Sequence, residues 1–305
     1  MANFENFTDL LAVKLDDYHS CIDVLEHDFS LSDVVGNIRF HHLRTDGNGR
    51  PMVKALAEML YDYIIHYCIA SKNRDDPLTP QQSARLTKEA RKLFRHPNLE
   101  SGKDDRTGEA GEALLFFLTE AILQAPQIVA KMELKTNRRD EIKGSDGIHA
   151  KWNAEDKIMD FYFGESKLYQ DVNAAMTSAL SSIAGFHVNE MYKHEFTIVT
   201  KHFKYADEEM RKQVASLIQR GEPGVGARIN HSCLIGYDWD KYGSMDPAQM
   251  QSAIKNYLLA DGLNVVKKLN DGFSSFERKY LRFEIFFLPF PSVSDFRNQF
   301  NAALD

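Results

Sequence analysis

Apolar positions fall into two rhythms along this chain. Residues 52–71 carry Val53, Leu56, Ala57, Leu60, Ile64, Tyr67 and Cys68 at helical spacing, which predicts one helix ended by the polar run 73–77. A second helix is predicted from residue 80 to about 95, with Thr79 as N-cap and Pro80 at its first position. Leu114, Phe117, Leu118, Ala121 and Ile122 form the next helical face. Leu115 and Phe116 make that helix apolar nearly all round, so it belongs inside a domain. Ile128, Ala130, Met132 and Leu134 then alternate with polar residues, which predicts a half-buried strand over 126–135. Segments 144–152 and 160–167 alternate as well and are separated by a polar turn at 153–156, which predicts an antiparallel hairpin. Asp171 is placed to cap a small-residue helix running to about 183. Further on, 194–202 reads as a strand around Phe196, Ile198 and Val199. A helix (207–220), a strand (231–239), a helix (246 to about 269), a strand (280–288) and a short helix from Ser294 complete the pattern. The Gly- and charge-rich segment 96–107 is the expected boundary between two regions.

The hairpin is where chemistry enters. Side chains alternate faces along a strand, so Glu165 and Lys167 point the same way as Met159, Phe161 and Phe163. On the preceding segment Asp146 shares its face with Ile148, Ala150 and Trp152. Each apolar stripe therefore ends in ionisable groups at one tip. The start of one hairpin strand lies beside the end of its partner, so Asp146 and Glu165 are expected to be neighbours although 19 residues apart. Hard cations such as Mg2+ take oxygen ligands, and one or two protein carboxylates commonly hold the ion beside substrate phosphates. A lysine supplies compact positive charge near the phosphorus. A solvated strand end is the alternative origin of a Glu-x-Lys. Here the pair ends an apolar face rather than continuing a polar one.

Glu112, in the first turn of the apolar helix, is the candidate third carboxylate; Glu109 competes with it, and both also suit the positive end of a helix dipole. Glu133 and Lys135 form a second Glu-x-Lys without an acidic residue on a preceding hairpin strand. With Lys131, Arg138 and Arg139 they are read as a polar face that touches phosphates or only solvent. Arg85, Lys88, Arg91, Lys92 and Arg95 make a basic helix face with the same two readings. Ser166 and His149 fall on the faces opposite Glu165 and Asp146, which argues against a serine nucleophile. Tyr169 either lines the site or simply packs.

The order of a helix with Glu112, a strand, Asp146, Glu165-x-Lys167 and a helix resembles the core of the PD-(D/E)xK nuclease superfamily, with Ser145-Asp146 in place of Pro-Asp. The longer string is Gly111-Glu112-Ala113-Leu114-Leu115, Lys135-Thr136, Asp146-Gly147-Ile148-His149 and Gly164-Glu165-Ser166-Lys167-Leu168-Tyr169. It resembles the HamA family, the nuclease subunits of the Hachiman antiphage defence system. The resemblance implies an α/β (α+β) fold. Residues 101–305 would form a restriction-endonuclease-like core, a mixed central sheet flanked by helices. Residues 1–100 would form a smaller, mostly helical accessory or partner-docking region. It further implies a Mg2+-dependent deoxyribonuclease, with Mn2+ able to substitute. Asp146, Glu165, Lys167 and Glu112 would be catalytic, with the three carboxylates as metal ligands. DNA would be the substrate and a HamB-like helicase the partner in a heterodimer. The competing class is a nuclease-like scaffold or adaptor that binds a helicase or DNA without cutting. A sequence-specific restriction enzyme is a third.

Composition adjusts this picture in three places. No run approaches the ~20 apolar residues of a membrane span, and the first residues lack a basic segment followed by an apolar one, so a cytoplasmic chain is expected. Cys21, Cys68 and Cys233 are too scattered for a disulfide framework or a zinc site. The net charge of −7 runs against a dedicated DNA binder, and points to a partner that supplies most of the DNA affinity.

Overall fold

A computed structural model of the chain describes residues 4–75, 77–94, 108–134, 144–246 and 248–305. The elements run α1 (Leu15–Cys21), β1 (Ile22–Val24), β2 (Val35–Leu43), α2 (Val53–Asp62), α3 (Ile64–Cys68), α4 (Pro80–Phe94), α5 (Glu109–Leu123) and β3 (Gln127–Val129). They continue β4 (Ile148–Asn153), β5 (Ile158–Tyr169), α6 (Val172–Val188), α7 (Met191–Lys201), α8 (Glu208–Ser216), β6 (Ile218–Gln219) and β7 (Glu222–Pro223). Last come β8 (Ala227–Asp238), α9 (Lys241–Ser244), α10 (Met250–Ser274), β9 (Arg282–Phe290) and α11 (Val293–Leu304).

Seven strands form one mixed sheet in the order β1-β2-β9-β8-β5-β4-β3. The central strands β2, β9, β8 and β5 are parallel, while β1 and the β4–β3 side are antiparallel. Parallel central strands are buried on both faces, which is why β9 reads as a nearly continuous apolar run and β8 is buried from Asn230 to Tyr237 although it carries Asn230, His231 and Ser232. The expected mixed sheet flanked by helices is present. The segment expected to divide the chain, 96–107, lies outside the described residues, and β1 and β2 from its N-terminal side belong to the same sheet.

The two faces differ in their cover. α5 lies on the face of β5 that carries Gly164, Ser166 and Leu168. A Cβ on Gly111 of α5 would sit 3.1 Å from Ser166 Oγ and 3.2 Å from Leu168 Cγ. α6 and α7 cover the opposite face, where Phe163 meets Phe186 and Phe196 at centroid distances of 5.2 and 5.4 Å. Phe161, Ile148 and Ala150 complete that core. Phe40 of β2 stacks on Phe287 of β9 at 4.6 Å in the larger core.

Three sequence expectations change. The single helix over 52–71 breaks at Tyr63, which is buried and whose hydroxyl donates to Asp17, and the chain continues as the short α3. The strand over 126–135 ends at Val129 and becomes a 3-10 turn, Lys131–Leu134, because Lys131 is drawn inward to polar partners. Residues 191–201 are helical. Tyr192, Glu195, Phe196 and Val199 recur at helical spacing, and three of them are buried, which outweighs the β-branched Ile198 and Val199.

Burial holds His41, His149 and His231 uncharged, each pushed down to about 3. The unfolded chain protonates its histidines near pH ~6.5, whereas the folded one resists. Stability present above that pH is therefore lost as the pH falls toward 3, by up to ~1.4 kcal/mol per unit for each group. Urea melts between pH 7 and 4.5 should show the midpoint dropping steeply below pH ~6.5. A flat midpoint would mean that these rings are not buried as described.

Candidate functional site

β4 begins at Ile148 opposite Phe163, but β5 runs on to Tyr169, leaving the last part of β5 without a β4 neighbour. The chain ahead of β4 fills the first of that gap. Gly147 accepts from the Gly164 N–H at 2.9 Å, and the Asp146 N–H donates to Gly164 at 2.8 Å. Asp146 Oδ2 then accepts from both the N–H and the hydroxyl of Ser166, at 2.6 and 2.7 Å. A carboxylate thus stands where a ladder carbonyl would. Gly164 allows the close approach: a Cβ there would lie 2.9 Å from Leu115 and 3.3 Å from the Gly147 nitrogen.

Glu165 and Lys167 project together from the other face, with Lys167 Nζ 2.5 Å from Glu165 Oε1. Burial pushes the Glu165 carboxyl up, the Asp146 charge pushes it further, and Lys167 and Ser182 pull it back. Asp146 is also raised by burial, against the Ser166 hydrogen bonds and the charges of Lys167 and Lys131. Burial works against the Lys167 ammonium, but Glu165 and Asp146 overcome it and hold the group charged. Two acids and one base therefore share one partly desolvated sheet edge, as the hairpin pairing predicts, although the Asp146 carboxylate meets the Ser166 hydroxyl, which alternation places on the face opposite Glu165.

Glu112 joins them through an intermediary. Its Oε2 accepts from the Tyr67 hydroxyl at 3.0 Å. That phenol is raised by burial and then by the charges of Glu112 and Asp146, so one ring senses both carboxylates. Glu109 stands at the first residue of α5. The second Glu-x-Lys does not form a strand end: Glu133 lies in the 3-10 turn and accepts from Asn73 Nδ2 at 3.0 Å, and Lys135 falls outside the described residues, as do Arg138, Arg139 and Arg95. His149 is buried with Nδ1 2.9 Å from the Ala125 carbonyl, away from the site. Tyr169 is exposed and meets Ser178 at 3.1 Å.

Sequence reasoning missed the frame that holds Asp146. Glu195 is fully buried on α7, and its Oε1 accepts from Lys131 Nζ at 2.7 Å and from the Ser145 N–H at 2.8 Å. Lys131 Nζ also donates to the Ser145 carbonyl at 2.5 Å. One ion pair thereby fixes both backbone groups of the residue before Asp146. Gly144 is required by the same contact: its φ is +118°, and a Cβ would lie 1.9 Å from Glu195 Oε1. The available signals were a lysine within an apolar alternation and a glutamate on the apolar spacing of α7.

Removing one partner of a buried pair leaves an uncompensated charge, at a cost of ~3–5 kcal/mol. Glu195→Leu should destabilise by about that amount, and Lys131→Met with Glu195→Leu by less than the two single changes together. Chemical denaturation of the four proteins measures this, and strictly additive losses would dissolve the proposed unit.

Among the described residues no three His, Cys, Asp or Glu side chains are grouped to hold a metal, and no helix is long and apolar enough to cross a membrane. None of the curated proteins matches the chain. A family model described as HamA matches residues 19–304. That span includes the hairpin, α5, and the first and last strands of the sheet, so the chain belongs to the HamA family, a component of Hachiman antiphage defence.

Proposed function

We propose that the chain is the Mg2+-dependent DNA-cutting effector of its defence system, with Mn2+ able to replace Mg2+. The observation that carries this reading is the convergence of Asp146, Glu165 and Lys167 on one sheet edge. The residues fit a hard divalent cation. Both carboxylates are raised by burial, and Glu165 is raised further by its like-charged neighbour, an arrangement that added positive charge relieves. Magnesium needs only one or two protein carboxylates when water and substrate phosphate complete its shell, so two acids without a third in direct contact suffice.

Asp146 and Glu165 would hold the ion, with Glu112 as a further ligand through its place beside Tyr67. The bound metal would polarise a phosphoryl oxygen and lower the pKa of water. Lys167 would hold positive charge against the phosphorane, and its contact with Glu165 keeps the ammonium oriented before substrate arrives. Ser166 fixes Asp146 rather than acting as a nucleophile, since its hydroxyl is spent on the carboxylate.

The net charge of −7 supports division of labour with a second protein that grips DNA, for which we assign a HamB-like helicase. Cytoplasmic residence accompanies such a role.

Lys167→Ala and Glu165→Ala should each lower plasmid cleavage in Mg2+ by ~100-fold or more while leaving the thermal midpoint nearly unchanged. EDTA should silence the wild type and Mn2+ should restore part of the activity. Glu133→Ala with Lys135→Ala should cut normally. Full cleavage by Lys167→Ala would move the site elsewhere. If the wild type with its partner binds DNA but never cuts it, the chain is an adaptor.

A further inference from the structure

The face of β5 that carries Glu165 also carries Phe163, and there α6 and β8 bring two histidines together. His187 Nε2 lies 2.8 Å from His231 Nε2, and both rings are buried. His231 also hydrogen-bonds the Phe163 backbone, in the sense that favours a proton on its other nitrogen, and burial keeps the ring neutral. A neutral imidazole has one donor and one acceptor. His231 Nε2 is therefore the acceptor, and the proton between the rings belongs to His187. Burial and the Arg278 charge hold His187 neutral as well, pushed down to about 4. Its Nδ1 is left as an acceptor. That atom has no hydrogen-bond partner among the described residues and opens to solvent, although the residue is only 5% exposed.

His187 lines a cavity of about 280 Å3 bounded by the end of α6, the β6–β7 hairpin and the chain leading into β9. Arg278 lines it too, and its side chain makes no hydrogen bond or ion pair among the described residues. Glu190 and Glu222 are the acids on the wall, and Lys193 bridges them at 2.8 and 3.0 Å. Lys193 and Arg278 thus balance the two carboxylates, and the cavity is built for hydrogen bonding rather than for net charge. Tyr192 sets its ring 5.5 Å from that of His187 and spends its hydroxyl on Glu222 at 3.3 Å. Tyr280, on the same wall, is 76% exposed and has no aromatic partner among the described residues. The wall therefore offers a forked donor, oriented acceptors and an open aromatic face.

We propose that this cavity binds a guanine base. Guanine carries the matching set: N7 and O6 accept from an arginine fork, while its N1–H and 2-amino groups donate. Arg278 would take the N7 and O6 edge, His187 Nδ1 and the wall carboxylates the N–H groups, and Tyr280 the ring face. Adenine presents an amino donor beside N7, where the guanidinium needs a second acceptor. Cytosine and thymine lack the N7 and O6 pair altogether. The base belongs either to a free nucleotide or to an unpaired position of a DNA strand, and the recognition chemistry is the same for both. Occupancy of the cavity requires no cleavage.

The test is calorimetric titration of the full chain in EDTA with the monophosphates of deoxyguanosine, deoxyadenosine, deoxycytidine and thymidine. The guanine nucleotide should bind ~10-fold or more tightly than the other three. Arg278→Gln and Tyr280→Ala should each weaken it by ~10-fold. Neither change removes a side-chain contact within the protein, so the thermal midpoint should stay put. Arg282→Gln, an exposed arginine outside the cavity, serves as the control and should leave binding unchanged. Equal affinity for all four nucleotides, no binding of the guanine nucleotide, or full affinity in both cavity variants would overturn the proposal. A labelled hairpin with one unpaired guanine, compared by anisotropy with its unpaired-adenine twin, separates the two sources. Preference for the guanine hairpin, competed by the free nucleotide, makes the ligand a strand base; binding of the nucleotide alone makes it a free nucleotide, and the guanine site stands in both cases. A wild type that takes the guanine nucleotide yet never cuts DNA would sink the nuclease reading and leave this site standing.

Discussion

The hydrogen bonds from Ser166 to the Asp146 carboxylate are the constraint from which the site follows. They put an acid where β4 would otherwise continue, and so keep the end of β5 open at its edge. Had the ladder run on in the same register, Asp146 would still stand opposite Glu165, but its carboxylate would not occupy the Ser166 N–H. The substitution of a carboxylate for a carbonyl brings negative charge next to negative charge in a partly desolvated place, and both groups respond by moving up from the usual carboxylate range. The rest of the molecule resists the repulsion. Lys167 neutralises from the front, and the Lys131–Glu195 pair pins the incoming chain from behind. The strain is electrostatic and local.

The same edge organises the helices. α5 meets β5 at its glycines, Gly111 against Ser166 and Leu168, and Leu115 against Gly164, so the first turn of the helix lies beside the carboxylates. α6 starts from the opposite face, capped by Asp171, and sends Ser182 back toward Glu165. Tyr67 links α3 to α5 through Glu112. Residues from three helices and one hairpin thus meet at a single spot, assembled from distant parts of the sequence.

What could be read from the chain was local. The hairpin, its register and the shared face of Glu165 and Lys167 follow from period-two alternation within about 25 residues, and the structure keeps them. The N-caps at Thr79 and Asp171 were legible for the same reason. What escaped was long-range. The partner of Lys131 lies 64 residues away, and nothing near Lys131 announces it. Phe196, Ile198 and Val199 favour a strand locally, whereas burial of Glu195 and Phe196 on one helical stripe makes α7 a helix. The break at Tyr63 has no glycine or proline to mark it; a tertiary contact with Asp17 does the work.

The strand order carries a consequence for synthesis. β9 lies between β2 and β8, so the two halves of the sheet have no direct connection until residues 282–290 are made. A ribosome-bound chain that has already exposed the hairpin still lacks the strand that joins its flanks. The sheet that carries the hairpin edge is therefore closed only after β9 has been made, late in the order of synthesis.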